Sequence, residues 1–309
     1  MSRYLSLPDH NQLRYSVQGT GPLLVVQPPG WGCGSYLYEK TLAELAKDFT
    51  VVTYDPRGSG DSLVLSPRTI NIGQHVEDLA FLMDYIGVET FHLLGHSHGG
   101  WIALLYAAHH TERLEKLVLV CGEMESVDGF DVAQQTYLTS RKQVFPHAVE
   151  QMLAAASCSY ANFHTDIDFT NWFYGVLPLY AHKANELSLQ FSALSMPDFS
   201  YQALQVSQQT NAQFPVGEFL CGIDVPTLVI NGTSDFTGLR LMAERFVDQL
   251  PKVKQAWIEN AGHYPWMEQP DNFFPIVKSF LLEEFQEPNS ANNDPKGDAP
   301  VGSEVDMHV

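Results

Sequence analysis

The sequence predicts an α/β protein: a mostly parallel eight-stranded sheet with helices on both faces and a helical lid inserted after the sixth strand. Three observations carry this reading. Short β-rich runs alternate with segments of helical apolar spacing, as expected for parallel strands joined by helical crossovers. One such junction, "HLLGHSHGGW" (His92–Trp101), places a serine among glycines between a strand and a helix. A long stretch rich in Gln, Ser, Ala and aromatics then interrupts the alternation before strands resume.

In chain order, "RYLSL" and "LRYSVQ", joined by "PDHNQ", read as an antiparallel hairpin. The strands "PLLVVQ", "FTVVTY", "FHLLG", "LVLVC", "TLVIN" and "KQAWIE" follow. Between them, "YLYEKTLAELAKD", "NIGQHVEDLAFLMDYIG" and "WIALLYAAHH" carry apolar residues at helical spacing. In the second, Ile72, Val76, Leu79, Leu82, Met83 and Ile86 form one stripe, which is core and not a cofactor site. The helical pattern of residues 126–219 is broken by Pro146, Pro178, Pro197 and Pro215. Because the chain then returns to the sheet, this segment is expected as a cap on a core built from residues 1–125 and 220–285. From residue 286 the run "EPNSANNDPKGDAPVGSEVD" has no apolar periodicity and is expected to be a disordered acidic tail.

With 309 residues, 45% hydrophobic and 17% charged, the chain can bury a sizeable core. A net charge of −19 argues against nucleic acid or an anionic membrane surface as partner. Four cysteines, Cys33, Cys121, Cys158 and Cys221, show no CxxC pair. Cys121 and Cys221 adjoin apolar runs and are expected to be buried. The opening "MSRYLSLPDHNQ" lacks the apolar core of a signal segment, so the cytoplasm is the expected compartment. The pattern leaves the oligomeric state open.

The turn "GHSHG" matches G-x-S-x-G with Gly95, Ser97 and Gly99. At such an elbow the serine is held in a strained conformation, and the helix that follows points unpaired N–H groups at its hydroxyl. A serine needs a base, and the base needs an orienting acid. Asp235 follows the strand "TLVING", and His263 stands in a Gly-preceded loop after the next strand. Glu123 and Asp128, just after "LVLVC", are the rival acids. Two backbone amides aimed at an oxyanion would come from His98 and from Trp31 in "QPPGWGCGS". His96 and His98 flank the serine on opposite sides with no carboxylate at ligand spacing, so a zinc site is not expected, nor is any organic cofactor. The aromatic insertion suggests a small apolar or aromatic substrate, with Trp31, Trp172 and Tyr180 as pocket residues.

Together these residues resemble the α/β-hydrolase superfamily over nearly all of residues 1–285. "YDPRGSGDS" (Tyr54–Ser62) looks like the turn after the fourth strand of that family, which implies architectural roles for Asp55, Arg57 and Gly58. "PPGWG", "DPRGSGDS", "LLGHSHGG" and "GVLPLY" are most similar to prolyl-aminopeptidase-like hydrolases. Those enzymes usually carry His-Gly-Gly-Pro where Pro29-Gly30-Trp31-Gly32 stands here. They hold the substrate amine with lid carboxylates, for which Glu123, Glu125, Asp166, Asp168 and Glu186 are the candidates. "SHGGW" with "PGW" also resembles cofactor-free ring-cleaving dioxygenases of the same fold, which place the acid after the sixth strand. The resemblance implies a serine hydrolase acting on an ester, lactone, small amide or activated C–C bond. The alternatives are an oxygenase using the His–Asp pair as base, and a non-catalytic small-molecule receptor.

Overall fold

The computed structural model describes residues 2–125, 128–158, 160–236 and 240–285; the expected acidic tail lies outside them. Eight strands form one sheet: β1 (Arg3–Ser6), β2 (Gln12–Gln18), β3 (Leu23–Gln27), β4 (Thr50–Tyr54), β5 (Phe91–His96), β6 (Leu114–Val120), β7 (Thr227–Gly232) and β8 (Val253–Ile258). Their order is β1-β2-β4-β3-β5-β6-β7-β8. The β1–β2 and β2–β4 pairs are antiparallel, and every pair from β4 to β8 is parallel. All eight expected strands are present.

The pleat explains why the parallel strands read as unbroken apolar runs. Leu24, Val26, Leu94, Val118, Val120, Leu228 and Ile230 belong to one core, and Val25, Leu93, Leu117, Leu119 and Val229 to the other. Successive side chains alternate between two covered faces, so no position can be polar without cost. The helices are α1 (Tyr36–Thr41), α2 (Ile72–Ile86), α3 (His98–His109), α4 (Phe130–Arg141), α5 (Pro146–Ser157), α6 (Asp166–Val176), α7 (Ala184–Leu194), α8 (Tyr201–Thr210), α9 (Arg240–Gln249), α10 (Pro265–Glu268) and α11 (Pro270–Leu282). On the second face, α2 buries Ile72, Val76, Leu79, Leu82 and Met83 of the expected stripe beside α3 and α9, with its sixth residue, Ile86, half-buried. Asn71 caps α2 by accepting the Gln74 N–H at 2.9 Å. Gly87, at φ 78°, closes it through a hydrogen bond to the Met83 carbonyl.

Helices α4 to α8 occupy the stretch between β6 and β7. Proline marks their boundaries: Pro146 opens α5, where a missing N–H costs nothing. Thr165 and Asp168 form a reciprocal capping box at the start of α6. The loop after β4 is fixed as expected. The Asp55 carboxylate accepts the Ser35 N–H and O–H at 2.6 and 2.7 Å and the Asp61 N–H at 2.9 Å. Arg57 is buried and forks onto both oxygens of Asp78 at 2.6 and 2.8 Å, with Asp9 as a third partner. Removing this guanidinium would strand the Asp78 charge in the interior, a loss typically worth about 3–5 kcal/mol.

One expectation is corrected. Cys121 is buried, but Cys221 is exposed, because the tight turn Leu220–Gly222 turns Leu220 inward and leaves its neighbour outside. Among the described residues no helix is long and apolar enough to cross a membrane.

Candidate active site

Between β3 and β5 the strand order reverses direction, since β4 lies on one side of β3 and β5 on the other. Loops leaving the two strands diverge there and open a crevice at the carboxyl edge of the sheet. The β3 loop carries Pro28–Gly32, and the β5 turn carries Ser97.

Ser97 has φ 56° and ψ −130°, a left-handed-side conformation that a side-chain-bearing residue adopts only under constraint. The constraint comes from close packing: a Cβ on Gly99 would stand 2.3 Å from the Gln27 carbonyl oxygen. The Ser97 N–H is bonded to the Val120 carbonyl, and its own carbonyl accepts from Gly100 and Glu123. Strand β6 therefore locks the turn from one side and α3 from the other. Among the described residues, neither the Trp31 nor the His98 backbone N–H has a hydrogen-bond partner. His98 is the first residue of α3, at the positive end of its dipole.

His263 Nδ1 lies 3.1 Å from each Asp235 oxygen, and both side chains are almost completely buried. A carboxylate only accepts, so Nδ1 carries the proton and Nε2 is the acceptor nitrogen of the ring, the one base chemistry requires. The two loops are tied backbone to backbone, Ser234 N–H to Ala261 O at 2.9 Å and Thr233 N–H to Ile258 O at 3.1 Å. Gly262 is required before the histidine, because a Cβ there would sit 2.2 Å from the Tyr180 carbonyl oxygen. That same carbonyl accepts the His263 N–H at 2.7 Å. Glu268 joins the loop to the segment after Tyr180, accepting from Gly262 N–H at 2.6 Å and from the His182 and Lys183 N–H groups.

His96 supplies a contact that no sequence pattern announces. Its Nε2 is 2.9 Å from the His263 carbonyl and its Nδ1 is 2.8 Å from the Tyr38 hydroxyl. The carbonyl must accept, so Nε2 donates and Nδ1 accepts from Tyr38. Burial pushes the imidazole well below its ordinary value, with the adjacent His263 adding to the effect, so the ring stays neutral. Its ring centroid is 4.6 Å from that of His263, which steadies the base from a second direction.

Glu123, one of the two rival acids, does not pair with His263 Nδ1. Instead Ser97 Oγ donates to Glu123 Oε1 at 3.2 Å. Asp128 is exposed before α4. The Glu123 carboxyl is raised above its ordinary value, mainly by desolvation in the cavity wall, with Asp235 adding and His263 and the Ser97 hydroxyl opposing. A raised carboxyl pKa in the folded state means that stability falls as pH rises through the window above 4.5. Glu123→Gln removes that titration. Its melting temperature should gain on wild type as pH rises from about 4 to about 8. Thermal scans that show a constant difference across this range would contradict the assignment.

The crevice widens into a cavity of about 190 Å³, lined by Ser97, His263 and Glu123 and mostly by aromatic rings elsewhere. Trp31, Trp172 and Tyr180, the three expected pocket residues, all line it. Trp31 packs edge-on against Phe169 and Phe199, Trp172 stacks on Phe169 at 5.9 Å, and the Tyr180 ring stands 5.3 Å from His263. The other carboxylates considered for amine binding are engaged elsewhere: Glu125 holds the Val216 and Gly217 N–H groups, Asp166 the Tyr201 N–H, Asp168 the α6 cap, and Glu186 pairs with Lys183 on the surface. Cys121, Asp235 and His263 are close enough together to suggest a metal. Asp235 and His263 Nδ1 are already bonded to each other at 3.1 Å, so neither can offer those atoms to an ion without breaking the pair. The chemistry does not fit a metal site.

The family description "alpha/beta hydrolase fold" matches residues 23–270. The chain is 26% identical over 272 residues to 3-oxoadipate enol-lactonase 1 of Acinetobacter baylyi, covering 86% of this chain and 92% of that protein. Among solved structures, the enol-lactonase from Burkholderia xenovorans superposes with a TM-score of 0.69 at 22% identity, covering 91% of this chain and all of that one. Proline iminopeptidase of Mycobacterium smegmatis gives 0.68 at 20%, covering 91% and 97%.

Proposed function

The chain belongs to the alpha/beta hydrolase family and is a hydrolase of that fold, and from this premise we propose that it works through a Ser97–His263–Asp235 triad and an acyl-enzyme. The observation that carries the proposal is the buried Asp235–His263 pair beside a serine held at φ 56°. Ser97 Oγ attacks the carbonyl carbon and its proton passes to His263 Nε2. The imidazolium is stabilised by Asp235 and then returns the proton to the leaving oxygen or nitrogen. The developing oxyanion is met by the Trp31 and His98 amides, which have no other partner among the described residues. Water then repeats the sequence and releases the acid.

At rest the Ser97 hydroxyl is turned to Glu123, so substrate entry must redirect it toward the imidazole. Helices α4 to α8 act as the lid, closing aromatic rings over the crevice. Among the described residues no Lys or Arg lines the cavity, which favours a neutral substrate over a carboxylate-bearing one. An ester or lactone of a small apolar or aromatic acid fits best, and the lactonase relative supports lactones within that class. Among the described lining residues a free amine would find, beside the triad, Glu123 as its one carboxylate, which gives peptidase activity weaker support.

If Trp172 selects the acyl group, Trp172→Ala should change relative kcat/KM between acetyl and bulky aryl esters. The discrimination should shift by about 1–3 kcal/mol. Its indole N–H bonds to the Gln151 carbonyl at 3.1 Å, so the ring is held in place and not merely resting on the surface. Equal losses over a panel of p-nitrophenyl esters, matched by a drop in melting temperature, would mean that Trp172 only packs the lid.

A further inference from the structure

Beside Ser97 in sequence, the cavity wall contains a polar cluster whose side chains the triad does not use. His98 is 3% exposed, lines the cavity, and among the described residues its ring nitrogens make no hydrogen bond of good geometry, with only a weak polar contact to the Asn211 side chain. A buried imidazole left this way costs stability, and proteins rarely retain such a group without a use for it. Asn211 and Ser207 line the same wall. The Ser207 hydroxyl donates to Asn211 Oδ1 at 3.2 Å, which orients the amide and leaves its NH2 group for another acceptor. Trp101, whose ring is 5.8 Å from that of His98, already spends its N–H on the Phe214 carbonyl, so it packs the imidazole without satisfying it.

We propose that His98 and Asn211 form a recognition site for a hydroxyl group carried on the substrate's body, away from the bond that is cleaved. A neutral imidazole offers one acceptor nitrogen, and the Asn211 amide offers a donor. A hydroxyl satisfies both at once, donating to the ring and accepting from the amide. A carboxylate could accept from the ring N–H and the amide but would meet no Lys or Arg among the described lining residues, and an ammonium would face the amide's own donors. Burial pushes His98 down to about 4, opposed by its weak hydrogen bond with the Asn211 side chain, so the ring is neutral at working pH. The residue thus has two separate functions, its amide toward the oxyanion and its ring toward substrate. The site deepens the hydrolase reading and rests on it.

The test is calorimetric binding of acetophenone and of its 2-, 3- and 4-hydroxy isomers to wild type, His98→Leu and Asn211→Leu. In wild type at least one hydroxy isomer should bind about tenfold more tightly than acetophenone, the effect of one good pair of hydrogen bonds. In each variant that preference should fall to about twofold or less. Asn211 is only partly buried, so Asn211→Leu decides the matter if His98→Leu does not fold. No preferred isomer in wild type, or a preference that survives in the folded variants, overturns the proposal. Fluorophosphonate labelling of the same wild-type sample separates the two readings. Labelling of Ser97 without hydroxyl preference removes the recognition site alone. Hydroxyl preference without labelling removes the acyl-enzyme alone.

Discussion

Asp235→Asn should lower kcat on any ester substrate by about ten-thousand-fold while leaving the protein folded. The carboxylate accepts the His263 Nδ1 proton through both oxygens at 3.1 Å. An amide at the same place offers N–H groups to Nδ1 and so favours the tautomer with its proton on Nε2. That nitrogen could then no longer take the proton from Ser97. KM should change little, because Asp235 does not line the cavity. Glu123→Gln should cost far less, since Glu123 meets the serine and not the imidazole nitrogen that needs orienting. The reverse ranking would move the orienting acid to the end of β6 and with it the mechanism toward the oxygenase alternative.

Ser97→Ala should lower kcat by roughly a thousand-fold or more, with the remainder owed to substrate binding and the two oxyanion amides. The backbone at residue 97 is held by bonds to Val120, Gly100 and Glu123, none of which involves the side chain. The elbow should therefore survive the substitution, and melting temperature should confirm it. Because the triad acts as a unit, Ser97→Ala and Asp235→Asn together should cost little more than Ser97→Ala by itself. A folded Ser97→Ala variant that keeps more than about a tenth of wild-type turnover would exclude nucleophilic catalysis by this serine.

The central strands β3 to β7 were readable because they are buried on both faces and apolar over most of their length, whereas the parallel edge strand β8 is partly exposed and carries Lys254 and Gln255. The elbow was readable for a related reason: Gly95, Ser97 and Gly99 answer a steric demand at a strand-to-helix junction, and steric demands leave small residues in the sequence. His263 announced itself through Gly262, which the Tyr180 carbonyl forces to lack a side chain. The contacts that tune the site were not readable. Tyr38 and His96 are 58 residues apart, and His96 and His263 are 167 apart. Nothing local in either histidine distinguishes a ring that steadies the base from one that faces the cavity. The same holds for Glu123, which the sequence offers as an orienting acid and the fold turns toward the serine. Among the many aromatics of residues 126–219, periodicity separates helix from loop. It does not say that Phe169 packs beneath Trp172 while both face the crevice, because the lid's own small core and the pocket draw on the same rings.

The central claim is that Ser97 becomes acylated. Exposure of the protein to a fluorophosphonate, followed by intact-mass measurement and peptide mapping, tests it with no knowledge of the natural substrate. The account predicts one phosphonyl group per chain, on Ser97, absent in Ser97→Ala and slowed strongly in Asp235→Asn. Unlabelled protein that nevertheless consumes oxygen with a hydroxylated aromatic compound would contradict it.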